Sequence, residues 1–412
     1  MSEQRTDAAV PVAAPGARAT GTRRAGRAEH RPEPAGRADD AGRVAARPPA
    51  RRLVLQAVGF HLLTRLVTIG AIVAGASRTA ITVPEAFARF DGRWFRIVAV
   101  EGYPATLPVD PGGVSTNATA FFPLYPALVR AVMATGLPFW VAACLVSLLA
   151  STAAAALVAL AVREYAPRAA LLTACCWSVL PTASVLSVAY SEALFTMLVA
   201  AALLLTLRRT WWAAALVAAL AGLTRMTGAV VAASVGITAL VALVRHRDRS
   251  AWWGAVAAAG VPLALLIVSW PSRRADAWFV TQREGWNVHF DGGLSFVRWV
   301  VDGLGAPEAR RTAFVILVLV MVVLTVLSLA ARPPLAVVVL VVGGVVLALG
   351  QGGEFYLSPL RFLLPIFPIL VPAALWLSRR SRAVVVLVLL GALTLSAGVG
   401  VYYFTLPDVA SP

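Results

Sequence analysis

Four charged side chains stand where an apolar chain has little ordinary use for them. Asp91 lies in "ARFDGRWFRIVAVEGYP" (88–104), Glu192 in "SVAYSEALF" (187–195), Arg225 in "GLTRMTG" (222–228) and Arg361 in "EFYLSPLRF" (354–362). At helical spacing Asp91 meets Phe87, Ala88, Trp94 and Phe95, and Glu192 meets Val188, Ala189, Phe195 and Thr196. None of these is a charge partner. A carboxylate held against apolar groups has a raised pKa and suits general-base work. Near a membrane such a group is expensive, which makes it a functional candidate. Arg225 and Arg361 also lack acidic neighbours at helical spacing, and guanidinium matches phosphate oxygens. Together these residues offer a candidate general base and cationic groups suited to phosphate oxygens. Structural roles exist for each: a helix-capping Asp, a snorkelling Glu, arginines that bind lipid headgroups.

The elements that must position them come next. Read as one helix, 86–100 puts Phe87, Phe90, Trp94, Ile97 and Val98 on one face and Arg89, Arg93 and Arg96 on the other. That is an amphipathic helix lying in the interface, aromatics in lipid, with Asp91 at the edge of the apolar face. "FFPLYP" (121–126) places two prolines between aromatics, a bent, re-entrant entry to the membrane. Arg65 falls in the middle of the first apolar run and is expected either to pair internally, with a carboxylate as one option, or to snorkel.

Composition sets the class. The chain is 59% hydrophobic and 14% charged, with mean hydropathy +0.79. Apolar runs long enough to cross a bilayer recur from residue 53 onward. The expectation is an all-α polytopic membrane protein. The net charge of +16 comes entirely from arginine, since no Lys occurs. A GC-rich coding bias of actinobacterial type and topological use of Arg account for it, and no nucleic-acid role is expected. Cys144, Cys175 and Cys176 lie in apolar runs and read as packing residues. His30, His61, His246 and His289 do not cluster, so no metal site is legible; no cofactor is required and a divalent metal is left open.

Residues 1–51 read as a disordered, Arg-rich cytoplasmic tail, and 52–405 as the membrane domain. About eleven spans are expected, near 53–76, 138–162, 169–186, 189–207, 211–224, 227–244, 251–270, 312–330, 334–350, 360–378 and 383–404. The segment Phe121–Met133 is read as interfacial or re-entrant. The Arg-bearing short loops at 163–168, 207–210, 244–249, 331–334 and 378–382 then all fall on the cytoplasmic side. The long connections 77–137, which holds the interfacial helices, and 271–311 fall outside. Asp91, Glu192, Arg225, the segment "AWFVTQREGW" (277–286) and Arg361 converge on that outer face.

Over most of 53–404 the chain resembles the GPI mannosyltransferase 2 (class V) family, membrane glycosyltransferases of the GT-C type. The resemblance is carried by "FDGRWFRIVAVEGYP" and "FFPLYPALVR" at their spacing, with "VAYSEALF", "GLTRMTG", "AWFVTQREGW" and "SPLRFLLPIFPIL" following in order. Phe90 and Phe95 depart from the aromatics usual at those positions. The resemblance implies a GT-C architecture in a bacterial plasma membrane. It implies inverting transfer of a sugar, mannose first, from a polyprenyl-phosphate donor to a lipid, glycan or protein acceptor of the cell envelope. Asp91 becomes the catalytic base. The candidate substrate-binding residues are Arg93, Trp94, Tyr103, Phe122, Tyr125, Tyr190, Glu192, Arg225, Gln282, Trp286 and Arg361. Membrane lipids are expected partners, and a partner subunit is left open. A lipid-linked-sugar flippase and a non-catalytic subunit are the alternatives.

Overall fold

The computed structural model describes residues 49–305, 309–353, 359–407 and 409, with the side chains of 309, 310 and 359 outside the description. The chain divides into two units, 1–46 and 47–412, and all elements below belong to the second. Most of the expected tail, 1–51, therefore lies outside the described residues, as do residues 354–358 of "EFYLSPLRF".

The regular elements of the described chain are helical apart from two short antiparallel strand pairings. Pro49 opens α1 (Ala50–Ala76), taking the helix edge where a missing N–H costs nothing. The first long connection holds α2 (Val83–Ala88), α3 (Asp91–Val100), the paired strands β1 (Val109–Asp110) and β2 (Gly113–Val114), and α4 (Leu124–Met133). Then come α5 (Phe139–Tyr165), α6 (Ala170–Ser178), a 3-10 turn over Pro181–Ser187, α7 (Glu192–Leu207), α8 (Trp211–Gly222) and α9 (Gly228–His246). A 3-10 stretch, Arg249–Ala259, runs into α10 (Gly260–Ser269). The second long connection carries α11 (Ala277–Val280), a π turn over Thr281–Gly285, β3 (His289–Phe290) and α12 (Leu294–Leu304). After α13 (Ala309–Ala330) and α14 (Leu335–Leu349), β4 (Gln351–Gly352) pairs antiparallel with β3. The chain closes with α15 (Pro359–Leu363), a 3-10 turn over Phe367–Leu370, α16 (Val371–Leu377) and α17 (Arg382–Thr405).

Alanines make the centre thin. On α5, Ala142, Ala143, Ala154, Ala155 and Ala159 are fully buried, and Ala193, Ala200 and Ala202 of α7 match them. Small residues let helix backbones approach closely without a polar penalty. Large apolar side chains face outward instead: Leu66, Leu149 and Leu387 are 70%, 62% and 69% exposed. Water does not tolerate so extensive an apolar belt, and lipid does. Among the described residues six helical runs are long and apolar enough to cross a membrane, or seven if the bent pair of α6 and its 3-10 turn is one span. The chain is an all-α, multi-pass membrane protein.

Helices occur at all eleven expected span positions, but some are shorter or broken. The helices α7, α8 and α14 have 16, 12 and 15 residues, so at about 1.5 Å per residue none reaches 30 Å. The α8 helix stops at Gly222, where an added Cβ would lie 2.7 Å from the Val261 nitrogen. Pro365, Pro368 and Pro372 divide the expected span at 360–378. The ten residues of α4 cover about 15 Å, leaving α5 as the one helix between 118 and 162 long enough to span.

The expected span 169–186 bends by 78° before Pro181. Arg65 explains how the bend is tolerated. It is 1% exposed and donates to the Ser178 carbonyl at 2.6 Å, to Ser187 Oγ at 3.2 Å and to the Ala183 carbonyl. His61 adds a 3.0 Å hydrogen bond between Nδ1 and Ser178 Oγ and stacks on Trp177. Of the expected alternatives for Arg65, internal pairing holds, but with backbone carbonyls left free by the bend rather than with a carboxylate.

Candidate active site

Asp91 is not inside a continuous helix over 86–100. The helix breaks at Arg89 and Phe90, the latter at φ 56°, so Asp91 becomes the first residue of α3. A left-handed Phe is strained by about 1–3 kcal/mol and needs outside support. Arg89 supplies it, donating to the Tyr403 carbonyl at 3.2 Å and to the carbonyls of Leu406 and Pro407 at the end of α17. Phe90 packs on Phe404, with the Arg89 guanidinium over its ring. Gly92 lets α3 approach the chain before α7, since an added Cβ would lie 3.1 Å from that of Ala189. The Ala189 N–H donates to the Phe87 carbonyl at 2.9 Å and ties the two segments together.

The aromatics of this segment face protein, which corrects the expected lipid-facing helix. Phe87 and Phe95 are buried, and Trp94 stacks on Phe121. Burial against neighbouring helices outcompetes lipid because the segment folds back onto the bundle. Arg93 and Arg96 remain exposed, as the helical reading expected.

Asp91 and Glu192 each open a helix, where the N-terminal dipole favours a negative charge. Both meet arginines remote in sequence. Arg361 Nη1 donates to Asp91 Oδ2 at 2.9 Å, and its Nε lies 3.3 Å from Glu192 Oε1. Arg225, in the turn between α8 and α9, reaches the same Glu192 oxygen at 2.8 Å and Ser191 Oγ at 3.1 Å. The Arg361 guanidinium lies over the rings of Tyr190 and Phe362, 5.3 and 5.1 Å from their centroids. Burial pushes the Asp91 carboxyl above the usual carboxylate range. Arg361 opposes that shift, Glu192 adds to it, and Arg225 opposes it.

A cavity of about 200 Å³ opens on this cluster. Asp91, Arg225 and Arg361 line it with Phe121, Phe122, Trp286 and Phe362. The two long connections are clasped together along its edge. Glu284 accepts from the Val114 N–H at 3.1 Å, Asn117 donates to Thr281 Oγ1 at 3.2 Å, and Trp278 Nε1 donates to the Ala120 carbonyl at 3.2 Å. The helices α7 and α9 begin beside the cavity and run to the Arg-bearing loops at 207–210 and 244–249, and Arg208 pairs there with Glu164 at 2.7 Å. Those loops therefore sit a helix length away from the cavity.

The structure thus brings Asp91, Phe122, Arg225, Gln282, Trp286 and Arg361 to one cavity. Glu192 lies beneath it, 1% exposed, and Tyr190 lies beside Arg361. Trp94 packs behind Phe121 and Trp286. Tyr103 and Tyr125 do not line the cavity. Tyr103 donates to the Phe121 carbonyl at 2.8 Å, and the Tyr125 hydroxyl meets Ser147 Oγ at 3.0 Å, so both brace the walls. Exposed Arg93 does not line it. Trp278, Gln351 and Phe362 line the cavity without having been singled out in the sequence. Gln351 had a usable signal, as a polar residue closing the apolar run of α14.

No protein-family model matches the chain, and no curated protein matches it. Solved structures with a similar course include ArnT from Cupriavidus metallidurans bound to undecaprenyl phosphate. It is 15% identical, with a TM-score of 0.45 over 84% of this chain and 76% of that one. The Archaeoglobus fulgidus oligosaccharyltransferase in its apo form is 14% identical, with a TM-score of 0.48 over 85% of this chain and 56% of that one. The same protein tethered to an acceptor peptide is 12% identical, with a TM-score of 0.49 over 85% and 55%. The chain spans about half the length of the archaeal protein.

Proposed function

We propose that the chain is an integral-membrane glycosyltransferase of the GT-C type. It moves a sugar, mannose first, from a polyprenyl-phosphate donor to a hydroxyl of a lipid, glycan or protein acceptor of the cell envelope. The observation that carries this reading is the Asp91–Arg361 pair beside a cavity that also presents Arg225. Asp91 keeps 15% of its side chain exposed, and among the described residues no bond engages Oδ1. That oxygen is available to take the acceptor proton as the acceptor oxygen attacks the anomeric carbon. The bond from that carbon to the phosphate oxygen breaks on the opposite face, which inverts the centre. Polyprenyl phosphate leaves with the electron pair.

Arg225 and Arg361 divide the remaining work. Arg361 is 3% exposed and committed to both carboxylates, so it positions Asp91. Arg225 is 18% exposed and meets the developing phosphate charge. Glu192 holds both guanidiniums rather than touching substrate. A narrower apolar slot beside the cavity, lined by Phe195, Val230, Leu340 and Ile366, supports a lipid-linked donor. The Arg-bearing loops at the far end support an outward-facing cavity in the plasma membrane under the positive-inside rule.

Purified protein with labelled polyprenyl-phosphate mannose and envelope acceptors tests the reading. Transfer by the protein alone is the expected result. Donor movement across vesicles without transfer would make it a flippase, and transfer only with a second protein would make it a subunit.

A further inference from the structure

Two carboxylates converging beside a cavity are the common beginning of a divalent-cation site. Here the space between them is filled by a side chain. Arg361 spans from Asp91 Oδ2 at 2.9 Å to Glu192 Oε1 at 3.3 Å, with Arg225 on that same Glu192 oxygen at 2.8 Å. Two guanidiniums therefore balance two carboxylates. The side chain is 3% exposed and held over the rings of Tyr190 and Phe362, so it is a fixed part of the wall. A divalent ion placed between the carboxylates would meet two resident cations. Among the described residues no three His, Cys, Asp or Glu side chains group together, so the two carboxylates could hold an ion only with water completing its shell, in the space Arg361 fills. Hard cations need six or more oxygens, several of them usually carboxylate. A planar, permanently charged fork is the side chain best able to bridge two carboxylates in a metal's place.

We infer that Arg361 is a built-in substitute for a divalent cation, and that this site works without bound metal. The inference rests on the proposed transferase reading for its catalytic meaning, but the occupancy of the carboxylate pair is measurable apart from activity.

The experiment is Mn²⁺ binding followed by electron paramagnetic resonance on the full chain in nanodiscs. Wild type is expected to retain no Mn²⁺. Arg361→Ala is expected to bind it, and Arg361→Ala with Glu192→Gln to lose it again. Mn²⁺ binding by wild type that disappears in Asp91→Asn overturns the inference, and so does an Arg361→Ala protein that folds and binds none. A second measurement uses wild type alone. Transfer is expected to proceed at an unchanged rate after chelator treatment, and a loss that Mn²⁺ restores overturns the inference even if Arg361→Ala does not fold. Failure of wild type to transfer from any polyprenyl-phosphate sugar overturns the proposed function instead, and the Mn²⁺ binding then decides this inference separately.

Discussion

Arg65 and Arg361 are both buried arginines set in apolar sequence, and they end in opposite roles. Arg65 meets carbonyls released where α6 bends and is 1% exposed. Arg361 meets two carboxylates that each begin a helix, beside a cavity walled by aromatic rings. The burial of a charge is the same in both places. What the guanidinium touches separates a brace for the backbone from a candidate for chemistry.

Substitutions can break that contrast or sharpen it. Arg65→Leu strips several buried carbonyls of their donor and is expected to cost about 3 kcal/mol of stability, read as a lowered melting temperature. Transfer per folded molecule should be unchanged; a specific loss of turnover would erase the distinction. Arg225→Ala removes a charge-assisted contact to the donor phosphate. It should lower kcat/KM by about 10–100-fold, mainly through kcat because the charge it meets develops as the bond breaks, and an unchanged kcat/KM would move the phosphate elsewhere. Arg93→Ala should shift stability by less than about 0.5 kcal/mol, as expected for an exposed surface side chain, and leave transfer intact. It lies two residues from Asp91 in the same motif, so it separates position in sequence from position at the cavity.

Much of this was legible beforehand because membrane helices announce themselves by local composition. Helices stand at every expected span, and Asp91, Glu192, Arg225 and Arg361 stood out because each lacks a charge partner three or four residues away in sequence. The pairings were not legible, since Arg361 and Asp91 are 270 residues apart and periodicity reports only near neighbours. The break at Arg89 and Phe90 was hidden for a related reason: its support comes from the end of α17. Helical periodicity also identified the apolar face of 86–100 without telling lipid from protein as its neighbour. Burial of Phe95 and the stacking of Trp94 on Phe121 answer that only in three dimensions.

The central claim is that Asp91 removes the acceptor proton. The direct measurement is transfer from polyprenyl-phosphate mannose by wild type and Asp91→Asn, with melting temperature recorded for both. Loss of a general base predicts a fall in turnover of about 10²–10⁴-fold in protein that remains folded. Wild-type activity should also fall on acidification, because only the ionised carboxylate accepts a proton. Burial raises the Asp91 pKa, so that fall should begin above the ordinary carboxylate range. Near-normal turnover in Asp91→Asn would contradict the account.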